Sequence, residues 1–273
     1  MKNILEKIND AVSFIRTKTE LKPSVGIILG SGLGKLGNQL TEMISISYSE
    51  IPHFPSTTVA GHIGKLLLGN LNGKVVVCMQ GRFHFYEGYS MEEVAFPVRV
   101  MKSLGVETII ISNASGGLNP EIKIGDICII TDHISLLPDH PLRGKNEDSL
   151  GTRFPDMHSV YDKELISRAM AVARSHAIRC HTGVYVGVQG PTFETPAEYK
   201  FMRIIGGDCV GMSTVPEVIV AQHMGIKIFC ISVIADEGNP PEPVRISHQE
   251  VVAAAESAEP KLTLIVTELL KTL

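Results

Sequence analysis

The chain has no C-x-x-C pair, no basic block, and no apolar run near the ~20 residues that a membrane-spanning helix requires. Each absence removes a class of function. The five cysteines, at positions 78, 128, 180, 209 and 230, are widely spaced and mostly lie in apolar runs, as expected of reduced core residues in a cytosolic protein. They offer no framework for a metal site, and none is expected. Charges are spread through Met1 to Lys18, so the start lacks the apolar core of a signal peptide, and the expected compartment is the cytoplasm. Lys and Arg number 25 against 29 Asp and Glu, a net charge of −4, which leaves no basic face for nucleic acid or an anionic membrane. Internal repeats and low-complexity tracts are also missing.

What is present is a chain of 273 residues, 44% hydrophobic, sized for a single domain over 1–273 with a substantial core. Ile4, Leu5, Ile8, Val12 and Ile15 recur at helical spacing and predict an amphipathic helix ended by Lys22-Pro23. Buried strands are expected at Val25–Leu29 and Val106–Ser112, and further strands at Met43–Ser49, Ile127–Thr131, His181–Val188, Asp208–Met212 and Ile226–Ile234. A hairpin is expected across Asn72-Gly73. Helices are expected from Ser90 to about Lys102, over Asp162–Ser175, from about Ala197, after Ser213-Thr214 with Pro216 at an early position, and after Ser247. The alternation predicts an α/β fold: a mixed, largely parallel central sheet flanked by helices. Asp132 to Tyr161 shows no periodicity, and a stretch that long is a lid, a binding loop or a subunit contact.

The stretch Gly81-Arg82-Phe83-His84-Phe85-Tyr86-Glu87-Gly88-Tyr89 lies just past a predicted strand, where open α/β sheets place ligands. Arg82 and His84 are two positions apart and share a face in an extended segment, which suits an oxyanion beside a flat ligand. A polar loop with its aromatics tucked into the core is the plainer alternative. Gly30-Ser31-Gly32-Leu33-Gly34-Lys35-Leu36-Gly37 also follows a strand. Gly32, Gly34 and Gly37 formally satisfy the dinucleotide fingerprint, yet the next strand starts too soon for a crossover helix. What remains is a nest of backbone N–H groups with the Ser31 hydroxyl beside it, or a plain tight turn. Asn113-Ala114-Ser115-Gly116-Gly117-Leu118 reads as a second small-residue turn. Glu194 is either a helix-start carboxylate or an acceptor aimed into a cleft beside Phe193, and Ser213 is either a helix cap or an anion ligand.

Taken in order, Gly30-Ser31-Gly32-Leu33-Gly34, Gly61-His62, the 81–89 stretch, Asn113-Ala114, Gly116-Gly117-Leu118-Asn119, Phe193-Glu194-Thr195 and Gly211-Met212-Ser213-Thr214-Val215-Pro216-Glu217 resemble the low-molecular-mass, trimeric class of purine nucleoside phosphorylases. Pro141-Leu142-Arg143-Gly144 and Arg153-Phe154-Pro155 extend the resemblance across essentially the whole chain. It implies phosphorolysis of purine nucleosides to free base and α-ribose 1-phosphate, with inorganic phosphate as co-substrate and no cofactor. It further implies that Ser31, Arg82, His84, Ser213 and the Ala114 backbone hold phosphate, with His62 near the entrance. Tyr86, Met212 and His248 would surround the ribose, with Phe154 supplied by a neighbouring subunit of a homotrimer. Phe193, Glu194, Val210 and Asp236 would form the base pocket, and His84, Glu194, Asp236 and His248 would carry the catalysis.

One position departs from the family pattern. The 6-oxopurine enzymes have Thr-Asn where this chain has Ala235-Asp236. An ionised Asp accepts hydrogen bonds but cannot donate to O6, whereas a protonated one can. The resemblance implies inosine and guanosine cleavage, and the departure at Asp236 adds an expectation of adenosine acceptance, because an ionised carboxylate favours a 6-amino group. The alternatives are an adenosine- or methylthioadenosine-preferring phosphorylase and a non-catalytic nucleoside-binding protein of the same fold. Without the resemblance, a nicotinamide-dependent oxidoreductase ranks next on the Gly32 fingerprint.

Overall fold

Ile8, Ala11 and Ile15 form the buried stripe of the opening helix, α1 (Ile4–Lys18), whose Asn3 cap closes a reciprocal capping box with Glu6. The computed structural model describes residues 2–58, 63–238 and 247–273. After α1 come β1 (Val25–Leu29), β2 (Thr41–Ser47), β3 (Lys65–Leu71), β4 (Lys74–Gln80) and α2 (Met91–Leu104). A short 3-10 helix, Gly34–Gln39, stands where a dinucleotide unit would need its crossover helix. Asn72 and Gly73 turn the hairpin with φ of 48° and 80°, the pair of positive values that matches strand twist. The chain continues with β5 (Thr108–Gly117), β6 (Ile127–Ser135), α3 (Lys163–Ser175), β7 (Cys180–Gly187), α4 (Pro196–Ile204), β8 (Cys209–Gly211), α5 (Val215–His223), β9 (Lys227–Glu237) and α6 (His248–Leu270).

The nine strands form one sheet in the order β2-β3-β4-β1-β5-β8-β7-β6-β9, and a further β5–β9 pairing closes the last five into a ring. Five pairings are parallel and four antiparallel, so the sheet is mixed and only narrowly parallel in majority. Alternation along the central strands sorts the core into two layers. Ile28, Val77, Met79, Ile109 and Ile111 face α1, α2 and α5, while Ile27, Leu29, Val76, Cys78 and Ile110 face α3 and α6. β1 is buried along its whole length between two parallel neighbours. The carboxyl ends of β1, β4, β5 and β9 therefore open on one side, which positions the site.

Three differences from the sequence expectations arise here. Asn113–Gly117 is strand, not turn: β5 runs on to pair Gly116 with Asp236 and Gly117 with Glu237. A Cβ at Gly116 would lie 2.8 Å from Asp236 Oδ1 and 3.3 Å from Val210, so the small residues serve close strand packing rather than a reversal. β9 likewise continues through Ala235 and Asp236 instead of ending at Ile234. β6 extends to Ser135, and Tyr161 bridges Ile228, which leaves 136–160 as the irregular segment.

Candidate active site

The strand ends enclose a cavity of about 320 Å³. Ser31 follows β1, Arg82, His84 and Tyr86 follow β4, Ala114 lies in β5, and Met212 and Ser213 follow β8. Asp236 lies in β9, and His248 in the first turn of α6; all of them line this cavity. Phe193, Glu194 and Val210 complete the wall. His62, expected near the phosphate, lies outside the described residues. Phe154 is 85% exposed, away from the cavity of its own chain, with the Arg153 guanidinium 5.3 Å over its ring.

One end is polar. Arg82 is buried and bonds Glu217 in bidentate fashion, Nε to Oε1 at 3.1 Å and Nη2 to Oε2 at 2.9 Å. Its Nη1 donates to the Ser112 carbonyl at 2.7 Å and to Ser213 Oγ at 3.3 Å. Glu217 thus offsets the charge that the guanidinium brings into the core and fixes its plane. Next to it the chain makes a tight reversal. Val215 N–H donates to Ser213 O at 2.7 Å across Thr214, whose φ of 69° and ψ of −54° are those of a rare γ-turn. Of the two cap candidates, Ser213 and Thr214, Thr214 stands at the cap position of α5 but makes no side-chain cap bond; its hydroxyl accepts from Asn113 Nδ2 at 2.9 Å. Asn113 Oδ1 in turn accepts from Ser232 at 2.6 Å. This buried network holds the strained turn, which brings Ser213 to the cavity at the amino terminus of α5.

His84 is held by Glu87, whose Oε1 accepts from both the backbone N–H at 2.8 Å and Nδ1 at 2.9 Å. Nδ1 therefore carries the ring proton. Burial pushes the His84 imidazole below its ordinary value, Arg82 adds to that shift, and Glu87 opposes it. Although burial raises the Glu87 carboxyl, hydrogen bonds from His84 and Thr58 outweigh it and bring the group down to about 2. Tyr86 stacks on His84 at 4.6 Å between ring centroids, which begins the apolar middle of the cavity.

The far end is acidic. Burial raises Glu194 above its ordinary value, and the Tyr199 hydroxyl bonds it and counteracts part of the shift. Burial, then the nearby Glu194, pushes Asp236 up to about 6. Asp236 Oδ1 is buried and makes no hydrogen bond among the described residues. Among those residues, no group of three or more His, Cys, Asp or Glu is placed to hold a metal. Glu217, Glu87, Asn113 and Tyr199 complete the site; the first three lie within the motifs of the resemblance with no role assigned to them there, and nothing in the sequence marks Tyr199. Glu217 reads as ordinary helix-start chemistry.

The fold and this cavity define a phosphorylase. A sequence model of the phosphorylase superfamily matches residues 24–271, and the chain belongs to that family. It is 50% identical over 254 residues to purine nucleoside phosphorylase 1 of Bacillus subtilis (strain 168), covering 93% of this chain and 94% of that one. It also superposes on two structures of Schistosoma mansoni purine nucleoside phosphorylase, each with a TM-score of 0.93. The complex with adenosine is 41% identical and covers 98% of both chains. The complex with inosine is 40% identical, covering 98% of this chain and 97% of that one.

Proposed function

We propose that this protein is a purine nucleoside phosphorylase that cleaves inosine, guanosine and adenosine with inorganic phosphate. The observation that carries the reading is that one cavity joins an oxyanion end, with Arg82, His84 and Ser213, to an acidic end with an aromatic wall, Phe193, Glu194 and Asp236. Tyr86, Met212 and His248 line the same cavity and suit a ribose between the two. Relatives of this chain named for that reaction, and solved with adenosine and inosine, support the assignment.

In this reading, phosphate binds against Ser31, Arg82, His84, Ser213 and the backbone at Ala114, below the sugar. Cleavage of the N-glycosidic bond leaves positive charge on the ribose and negative charge on the departing purine. The phosphate stabilises the first and then bonds to the anomeric carbon, while groups at the acidic end hold the second. The protein supplies orientation and fixed dipoles rather than a nucleophile of its own. His62 joins the phosphate entrance in the family pattern. The active unit is a homotrimer in which exposed Phe154 completes a neighbour's ribose pocket, and the compartment is the cytoplasm, where the five free cysteines stay reduced.

Incubation of each nucleoside with and without phosphate tests the reaction. Release of base that requires phosphate, with ribose 1-phosphate formed in equal amount, is the expected outcome. Release without phosphate would identify a hydrolase instead. No release from any of the three would favour the nucleoside-binding alternative.

A further inference from the structure

Two carboxyl groups line the base end of one cavity, and neither has an ion-pair partner among the described residues. Asp236 comes from β9 and Glu194 from the segment between β7 and α4. Asp236 lies beside Gly116 of β5, shares the cavity wall with Val210 of β8 and Glu194, and is within electrostatic reach of Glu194 and of Tyr199 of α4. His248 of α6 lines the same cavity, and on β9 itself Glu237 pairs outward with Lys123 at 3.4 Å. The cationic Arg82 is tied to Glu217 at the opposite end. A second ionised carboxylate is therefore poorly tolerated here. One buried oxygen, Asp236 Oδ1, waits for a donor or for a proton of its own.

We propose that Glu194 and Asp236 read the base as a pair sharing a single proton, and that this sharing lets one pocket accept both 6-oxo and 6-amino purines. The inference rests on the phosphorylase reading of the cavity. A 6-oxopurine presents a donor at N1 and acceptors at O6 and N7. It is matched when Glu194 is ionised and Asp236 keeps the proton to donate. A 6-aminopurine presents an acceptor at N1 and a donor at N6. It is matched when the proton moves to Glu194 and Asp236 accepts. Both complexes contain one proton on the pair, and only its position differs. The two groups titrate as a unit, so loss of that proton at high pH weakens both classes of base together.

Calorimetric binding of hypoxanthine and of adenine to the unmodified protein, in buffers of different ionisation enthalpy, reads the proton directly. About one proton should be taken up with each base at pH 8, above the Asp236 value of about 6, and less at pH 5. Uptake with only one of the bases, or with neither, or failure of either base to bind, would overturn the pair.

Two variants add a reading in the reaction. Asp236→Asn can donate to O6 without taking up a proton and should raise the inosine-to-adenosine ratio of kcat/KM at least tenfold. Glu194→Gln can donate to N1 without taking up a proton and loses the charge that favours N1–H, so it should lower the same ratio at least tenfold. Shifts in the same direction, or under twofold in both, would refute the sharing. Binding of free base needs no phosphate, so the two failures separate. Absent phosphorolysis with intact proton uptake would remove the reaction but keep the pair. Phosphorolysis with no proton uptake would do the reverse.

Discussion

The Arg82 guanidinium and the Glu217 carboxylate are joined by two hydrogen bonds, at 3.1 and 2.9 Å, with both side chains almost wholly buried. Burial makes the pair a single unit: either partner without the other is an uncompensated charge in the core. Arg82→Ala is therefore expected to raise the phosphate KM and also to destabilise the fold by about 3–5 kcal/mol. The double variant with Glu217→Ala should recover part of that stability and none of the phosphate affinity. Urea unfolding of the single and double variants, alongside phosphate saturation curves, measures both. Additive stability losses would show that the pair does not act as a unit.

Glu87 fixes the His84 ring, and the proposed phosphate contact of His84 depends on it. A Gln at 87 can donate as well as accept, so it no longer fixes the proton on Nδ1. Glu87→Gln is expected to raise the phosphate KM about tenfold, the cost of one misdirected hydrogen bond to a charged group, about 1.5 kcal/mol. The nucleoside KM should change much less. Equal increases in both constants would place the effect of Glu87 elsewhere.

Asp236 should make stability depend on pH. Its native pKa, about 6, lies above the ordinary 3.8, so between those values the folded state binds more protons than the unfolded one. Stability is then fully present below about pH 3.8, falls as pH rises toward 6 and stays lower above it. At about 1.4 kcal/mol per pH unit, the loss reaches roughly 3 kcal/mol. Asp236→Asn removes that loss, so the variant should gain stability over the parent at pH 8 and lose the advantage near pH 3.5. Thermal melts at the two pH values decide it, and an equal difference at both would contradict a buried, titrating carboxyl.

Phe154 gives an opposite pattern. It is 85% exposed in the isolated chain, so Phe154→Ala should leave the thermal stability of the subunit unchanged within about 0.5 kcal/mol. If its ring completes a neighbour's ribose pocket, the nucleoside KM rises severalfold while the phosphate KM holds. Light scattering should give a trimer for parent and variant alike. A fully active monomer would rule out a shared site.

The buried runs of β1 and β4, the Asn72-Gly73 reversal and the capped helices were legible because each depends on residues within a turn or two of one another. Burial on both faces calls for continuous apolar runs, and two adjacent positive φ values call for Asn-Gly. The order of the glycine-rich and aromatic motifs also carried the likeness to the phosphorylases, and with it most of the cavity wall. Local composition misled where the same residue type serves two purposes. Ser115, Gly116 and Gly117 suit a reversal as well as a tightly packed strand, and only the approach of Asp236 and Val210 decides for the strand. Thr214 has the look of a helix cap, yet a hydrogen bond from Asn113, about a hundred residues away, holds it in a γ-turn. Glu217 likewise suits any helix start, and its pairing with Arg82 exists because parallel strands end beside the first turn of α5. The sequence, through its resemblance, assigned Glu194 and Asp236 to one pocket. That both line the same cavity was decided only by the tertiary structure, because the closure of the β5–β9 ring joins segments far apart in the chain.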